Sequence, residues 1–369
     1  MKILFVSRMF HEVSGGVERM VIMLMNELIA RGIGVELVTW DNEGAKAHYE
    51  LNKSIVWHKL AMGDARKKAS WGLRAKRQLA LRRLLKSISP DVVIAFQHGP
   101  FLTIAVAGIG LSIPMIAAER NAPQRFEHLR AKKWRNLIFQ SFRLARRITV
   151  QFDQYVTGYP AYLRSRIVSI ANPVPRANRV ANPGASGGLH YLLSVSRLSY
   201  QKNPSVLIRA FAIASKDLPD WSLRLVGGGE DQQVLEQLVR DLGLDRRVEF
   251  VGAVRDVESY YATSHLFCLA SRWEGFPNAM AEAMAHGLPV VAFGGCAGMS
   301  ELIEGDKTGK LAKGNDDVEA LAEVLVELMR NDDDRVRLGQ AALAAMRQYE
   351  PKTVFMRWEE LFRSLARGA

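Results

Sequence analysis

Cysteine is almost missing from this chain. Only Cys268 and Cys296 occur among 369 residues, and neither has a partner at metal-ligand spacing. A disulfide framework and a cysteine-bound metal cluster are therefore excluded, and a reducing, cytoplasmic setting is expected. A secretory leader is not expected either, because Lys2 and Arg8 bracket an apolar run too short for the core of a signal peptide. Long apolar runs are also scarce. Residues 92–118 hold no Lys, Arg, Asp or Glu, enough length to cross a bilayer. Gln97, His98, Gly99 and Pro100 break that run, and Ser112 and Pro114 break it again, so it reads as buried strand, short helix, buried strand. Neither half shows Gly-x-Gly-x-x-Gly after its first strand, which argues against a dinucleotide-dependent oxidoreductase. Asp332, Asp333 and Asp334 read as a solvated helix start, and no other aspartate cluster suits a divalent ion bridging phosphates, so no metal is expected.

Acidic side chains are sparse in the first half. Residues 1–185 hold 29 Lys and Arg against 12 Asp and Glu, a net +17, whereas the remainder holds 21 against 26, a net −5. The cations are densest at 66–86 and 125–147, with Trp71 and Trp134 among them. Such stretches read as amphipathic helices that can lie on an anionic membrane surface. Solvated helix faces are the alternative, and nucleic acid is not expected because no motif for it accompanies the charge.

What is present is the composition of an ordinary globular protein, 48% hydrophobic and 24% charged, with a length that favours two domains. Apolar β-type runs at 3–6, 35–39, 55–58, 92–96, 115–118, 148–150 and 167–170 alternate with helical stretches, notably 16–31. A second series at 192–195, 223–226, 248–251, 266–269 and 290–293 repeats the theme. Two α/β units with parallel sheets follow. The boundaries we expect are a first domain at 1–171, a Pro- and Gly-rich linker at 172–189, a second domain at 190–349, and a last helix at 350–369. That helix carries Phe355, Trp358, Leu361, Phe362 and Leu365 on one face, which must pack on something apolar, and the first domain is available.

In an open parallel sheet ligands sit at the carboxyl ends of the strands, so the loops there carry the chemistry. After the first strand come Ser14, Gly15 and Gly16 at a helix start, where backbone can approach a phosphate or sugar. After 192–195 come Arg197 and Lys202, two cations that can converge on a diphosphate. Gly227, Gly228 and Gly229 follow the next strand and allow backbone to approach a ligand or a neighbouring strand. The densest constellation is EGFPNAMAEAMAHGLPVV, residues 274–291. Its Gly275, Phe276, Pro277 and Asn278 lead into a helix whose N–H groups can face a phosphate, and Gly287 with Pro289 ends that helix. Glu274 stands in the loop, able to meet sugar hydroxyls. Glu282 lies a turn further on in an apolar setting where a bare carboxylate is costly without donors such as ribose hydroxyls.

At these residues the chain resembles the retaining glycosyltransferases of GT-B fold grouped as family 4, over nearly its whole length. The resemblance runs through Gly15 and Gly16 with Val17, Glu18 and Arg19 behind them, Arg197 and Lys202, residues 227–230, 274–291 and 298–301. It implies an α/β, GT-B fold of two facing Rossmann-like domains, with a C-terminal helix crossing back to the first. It also implies that Arg197 and Lys202 bind the donor diphosphate, Glu282 the ribose and Glu274 the donor sugar, with Phe276, Pro277 and Asn278 lining the phosphate site. Residues 92–123 are similar to the subgroup that builds bacterial polysaccharides and lipid-linked oligosaccharides, including N-acetylgalactosamine transferases that extend polyprenyl diphosphate sugars. Here Ala118-Glu119-Arg120-Asn121-Ala122-Pro123 resembles the Ser-Glu-Arg-Asn-Asp-Pro of that subgroup, and Glu119 takes the place of a His common elsewhere in the family. Arg120 is then expected to reach an acceptor phosphate or hydroxyl and Glu119 to orient donor or acceptor hydroxyls. A Glu119–Arg120 charge pair that only stabilises the loop is the alternative. His98 is expected nearby as a hydrogen-bonding partner.

The expected activity is transfer of a hexose or N-acetylhexosamine from a nucleotide diphosphate sugar, with UDP as the base, to a glycan acceptor linked to polyprenyl diphosphate. The nucleotide sugar is a co-substrate and no cofactor is expected. The basic first domain would hold the protein on the inner face of the cell membrane. A nucleotide-sugar epimerase on the same fold and a non-catalytic nucleotide-binding membrane adaptor are the rival readings.

Overall fold

Apolar runs separated by helical stretches suit parallel pairing, and the computed structural model arranges them so. It describes residues 1–13, 15–67, 69–128, 133–185 and 187–367. Ser14 and the cations Lys68, Arg130 and Lys132 of the basic stretches lie outside the described residues. The chain divides into two compact units, Met1–Pro173 with Lys352–Ala369, and Val174–Pro351.

Unit 1 is built on β1 (Lys2–Val6), β2 (Gly34–Thr39), β3 (Val56–Lys59), β4 (Val92–Phe96), β5 (Met115–Ala118), β6 (Arg147–Val150) and β7 (Ile167–Ser169), in the order β3-β2-β1-β4-β5-β6-β7 and parallel throughout. Its helices are α1 (Gly16–Ala30), α2 (Trp71–Ile88), α3 (His98–Ala107), α4 (Arg125–His128), α5 (Arg135–Ser141), α6 (Gln154–Thr157) and α7 (Ala161–Arg164). Strands β1 and β4 flank the point where the order reverses; the loop after β1 holds Gly15, and His98 opens α3 directly after β4. From Lys352 onward the final helix of the chain, Pro351–Ala366, belongs to this unit and seats Phe355, Trp358, Phe362 and Leu365 in the core formed with β1, β2, β4 and α1. The stretch 125–147 is not one amphipathic helix, being split between α4, α5 and a 3-10 turn at Phe142–Leu144. In α2, Arg77 is buried with Leu81 and Leu85, and its guanidinium donates to Met62 O, so that cation does not face outward as the charge pattern suggested.

Unit 2 holds β8 (His190–Val195), α8 (Pro204–Ala214), β9 (Trp221–Val226), α9 (Gln232–Asp241), β10 (Val248–Gly252), α10 (Glu258–Ala262), β11 (Leu266–Leu269), α11 (Asn278–Ala285), β12 (Val290–Phe293), α12 (Ala297–Ser300), β13 (Lys310–Ala312), α13 (Val318–Arg330) and α14 (Asp332–Ala345). The sheet runs β10-β9-β8-β11-β12-β13 and is again parallel. Its reversal lies between β8 and β11, which are bonded neighbours, so the loops after those two strands flank the crevice this topology reserves for ligands. The Pro- and Gly-rich stretch after residue 173 is fastened along this unit. Val174 N–H donates to Tyr349 O at 2.8 Å, Ala181 N–H to His286 O at 2.7 Å, and Pro183 O accepts from the buried Arg335 at 2.8 Å.

Candidate functional site

Lys202 and Glu274 come from the two loops at that reversal. Strand β8 ends at Val195, and the following turn folds back so that Lys202 N–H donates to Ser199 O at 3.0 Å. Strand β11 ends at Leu269, and its loop is stitched to the first: Arg272 N–H donates to Gln201 O at 2.9 Å, and Gln201 Nε2 to Trp273 O at 2.9 Å. The stitching aligns the two charges, and Lys202 Nζ lies 2.5 Å from Glu274 Oε1. Glu274 is only 4% exposed, so its charge is held in a poorly solvated place where the paired ammonium matters most. Arg197, on the same β8 loop, is exposed, and its guanidinium makes no hydrogen bond or ion pair among the described residues. The sheet end therefore offers one cation committed to a carboxylate and one directed to solvent.

The glycine run at 227–229 has two jobs. A Cβ on Gly227 would collide with Ser196 O and one on Gly229 with Leu198 O, so these two let the β9 loop lie against the β8 loop. Gly228 faces open space between them. The close neighbour of this loop is thus the loop carrying Arg197.

Helix α11 starts at Asn278 with Pro277 as its cap residue. The expectation that the Asn278 N–H faces a phosphate is corrected, because it donates to Phe276 O at 2.9 Å. The Phe276 side chain turns inward, 5% exposed and edge-on to Tyr349 with ring centroids 5.8 Å apart. Lining by Phe276 is therefore a matter of its backbone alone. Glu282 lies one turn into the helix and accepts a hydrogen bond from the Tyr261 hydroxyl of α10 at 3.2 Å. That tyrosine was not legible as a site residue, since it is 21 positions upstream and only the packing of α10 on α11 brings it in. Cys296 lies close by. Burial first, then the Glu274 carboxylate, push its thiol up to about 12, so it is protonated at neutral pH and serves packing rather than nucleophilic attack.

In unit 1, Gly15 caps α1 in an ordinary extended conformation. A Cβ there would run into the Glu18 carboxylate, so the negative charge favoured at this helix start is already supplied by the chain. Gly16 opens the helix and is exposed. Buried Asp41 fixes the approach to this turn by accepting from the N–H groups of Phe10 at 2.7 Å and His11 at 3.3 Å.

After β5, Glu119 and Arg120 part company. Glu119 is 2% exposed and pairs with Arg125 Nη2 at 3.0 Å, while its Oε1 has no partner among the described residues. Arg120 is 4% exposed, donates to Thr149 Oγ1 at 2.9 Å, Ile170 O at 3.2 Å and Asn172 Oδ1 at 3.3 Å, and lies over the Trp358 ring at 5.3 Å. Burial pushes its guanidinium down to about 9, partly offset by Glu119, so it stays charged at neutral pH. The expectation and its alternative are both corrected here. Arg120 does not reach toward an acceptor, and the loop's ion pair is Glu119–Arg125, not Glu119–Arg120. Successive residues leaving a strand face opposite ways, so neighbours in sequence meet different layers. His98 Nε2 lies 3.0 Å from Ser141 Oγ, whose own proton goes to Ile138 O at 2.6 Å. The imidazole is therefore the donor through Nε2, and burial lowers its pKa, keeping it neutral.

Residues 14–175 match the family described as Glycosyltransferase Family 4, and residues 177–344 that described as Glycosyl transferases group 1. The chain is a glycosyltransferase, with a family 4 domain followed by a group 1 domain. Among curated relatives of this glycosyltransferase, an uncharacterized glycosyltransferase of Haemophilus influenzae is 27% identical over 350 residues, covering 94% of this chain and 96% of that one. A Campylobacter jejuni protein, named an α-1,4-N-acetyl-D-galactosaminyltransferase acting on a GalNAc-containing diNAcBac-PP-undecaprenol, is 27% identical over 362 residues, covering 94% and 95%. Among solved structures, the lipopolysaccharide outer core galactosyltransferase WaaB superposes with a TM-score of 0.79 at 18% identity over 99% of each chain. Anabaena Alr3699/HepE in complex with UDP and glucose superposes with a TM-score of 0.77 at 21% identity, covering 99% of this chain and 100% of that one. The fold of this glycosyltransferase is accordingly GT-B.

Proposed function

We propose that this enzyme is a retaining, metal-independent transferase that moves a hexose or N-acetylhexosamine from a UDP-sugar to a lipid-linked glycan during polysaccharide or glycoconjugate assembly. The observation that carries the reading is the Lys202–Glu274 pair at the reversal of the unit 2 sheet. A diphosphate arriving there competes for Lys202 and joins the unengaged Arg197, and the carboxylate so released accepts hydroxyls of the donor sugar. Glu282, oriented by Tyr261, takes the ribose. As the bond from C1 to the diphosphate oxygen breaks, the two cations stabilise the charge forming on the leaving group. The acceptor oxygen bonds to C1 on the same face and its proton passes to the departing phosphate oxygen, so no protein nucleophile is used. The Campylobacter relative, by its name, uses an undecaprenyl-linked acceptor, and the Anabaena structure holds UDP and glucose, which supports both ends of the assignment.

Thermal unfolding with a panel of UDP- and GDP-sugars tests the donor, since a ligand bound only by the native state raises Tm. One UDP-sugar is expected to give the largest rise and to be transferred in excess EDTA with an α-linked product. A larger rise with a GDP-sugar, or transfer restored only by added Mg²⁺, would overturn the donor assignment or the metal-independence.

We place the enzyme on the inner face of the cell membrane. Trp71, at the start of α2, is 85% exposed with Arg74 over its ring at 5.1 Å, and Leu79 on the same helix is 58% exposed, a pairing of apolar body and cation that suits an anionic interface. Trp71→Ser together with Leu79→Ser is expected to reduce flotation with phosphatidylglycerol vesicles while leaving the folded protein intact. Flotation unchanged in that variant would remove α2 from the contact.

A further inference from the structure

The unit 1 sheet has a second end. The C-terminal ends of β4 and β5 carry His98 and Glu119, whereas the N-terminal ends of β5, β6 and β7 border a solvent-open cavity of about 390 Å³. Four residues of β5 separate the two, roughly 13 Å at the rise of a strand. Arg143, Arg146, Arg147 and Arg166 line this cavity over a floor that includes Ile113 and Met115, and no acidic side chain is among its lining residues.

The arginines are not spent on one another's surroundings alike. Arg166 Nη1 donates to Arg143 O at 2.8 Å and Ala145 O at 3.0 Å, which clamps the turn that leads into β6 and fixes the wall. Arg143 lies over the Tyr162 ring at 5.7 Å. The side chains of Arg146 and Arg147 make no hydrogen bond or ion pair among the described residues. Four like charges without a counter-charge raise one another's energy, and an anion between them relieves it. Guanidinium forks match phosphate oxygens in pairs, which favours phosphate over a diffuse counter-ion. Leu144, 47% exposed, follows Arg143 on the wall and gives the site an apolar margin.

We propose that this arginine-lined cavity binds a phosphate group, carried either by a small soluble molecule or by a phospholipid headgroup, at a site separate from the residues assigned to sugar transfer. The proposal does not depend on the transferase reading. The test compares three intact proteins: wild type, Arg146→Gln with Arg147→Gln, and a control of equal charge loss, Arg209→Gln with Arg255→Gln, both exposed in unit 2. Inorganic phosphate is titrated against Tm, and flotation is measured with vesicles of phosphatidylcholine alone or mixed with phosphatidylglycerol. Lys202 is unchanged in all three, so any phosphate it binds contributes equally.

For a soluble ligand, the cavity variant is expected to need roughly tenfold more phosphate than wild type and control for the same rise in Tm. For a headgroup, its flotation with phosphatidylglycerol vesicles is expected to fall below that of the control. If the three proteins behave alike in both arms, or if the control loses as much as the cavity variant, the site does not exist. Arg146 is exposed and Arg147 half-buried, and circular dichroism of the variant confirms that the fold survives.

Discussion

Lys202→Ala is expected to lower kcat/KM for sugar transfer by roughly three orders of magnitude, the loss typical of removing a preorganised stabiliser of leaving-group charge. The same change leaves the Glu274 carboxylate, 4% exposed, without its ammonium partner. Breaking such a pair from one side costs about 3 kcal/mol of stability, so a loss of activity alone does not separate catalysis from unfolding. Adding Glu274→Gln removes the stranded charge. The double variant is expected to regain most of the unfolding stability in urea and none of the transfer. A Lys202→Ala protein that transfers sugar at near the wild-type rate would end the assignment of the donor site, and a double variant that recovers activity with stability would make the pair a structural one.

Lys202 and Glu274 are each legible in the sequence as site residues because both stand in loops that follow strongly apolar strand runs, where parallel sheets hold ligands, whereas their pairing is not. The strand runs themselves were legible at their centres and not at their ends. Strands β8 and β9 begin at His190 and Trp221, before the apolar runs that mark them, because His190 pairs with Trp221 across the sheet whatever its polarity. Strand β13, Lys310–Ala312, was missed altogether. It is three residues long and opens on a lysine that pairs with Asp306 and Glu327 at 2.8 Å each, the charged habit of an edge strand. Within the site, sequence showed which residues carry charge and where the chain turns, but not which charge meets which. Arg125 reaches Glu119 only because α4 folds back over the end of β5, and Tyr261 reaches Glu282 only through the packing of two helices.

Arg120 is the residue whose role the structure changes most, and its substitution separates the two readings. A side chain that touched the acceptor would, when truncated, raise KM for the acceptor and leave stability close to wild type. The guanidinium is instead buried among Thr149, Ile170, Asn172 and Trp358, joining the ends of β5, β6 and β7 to the C-terminal helix. Arg120→Ala removes that cation, strands the Ile170 oxygen as a buried acceptor and opens a void against the indole. The expected cost is about 3–4 kcal/mol in urea unfolding. Arg120→Lys retains charge but not the planar fork, so it is expected to recover part of that stability and to leave the acceptor KM unchanged. A truncated protein with full stability and a raised acceptor KM would return Arg120 to the acceptor site and require the loop to adopt a different arrangement when substrate is bound.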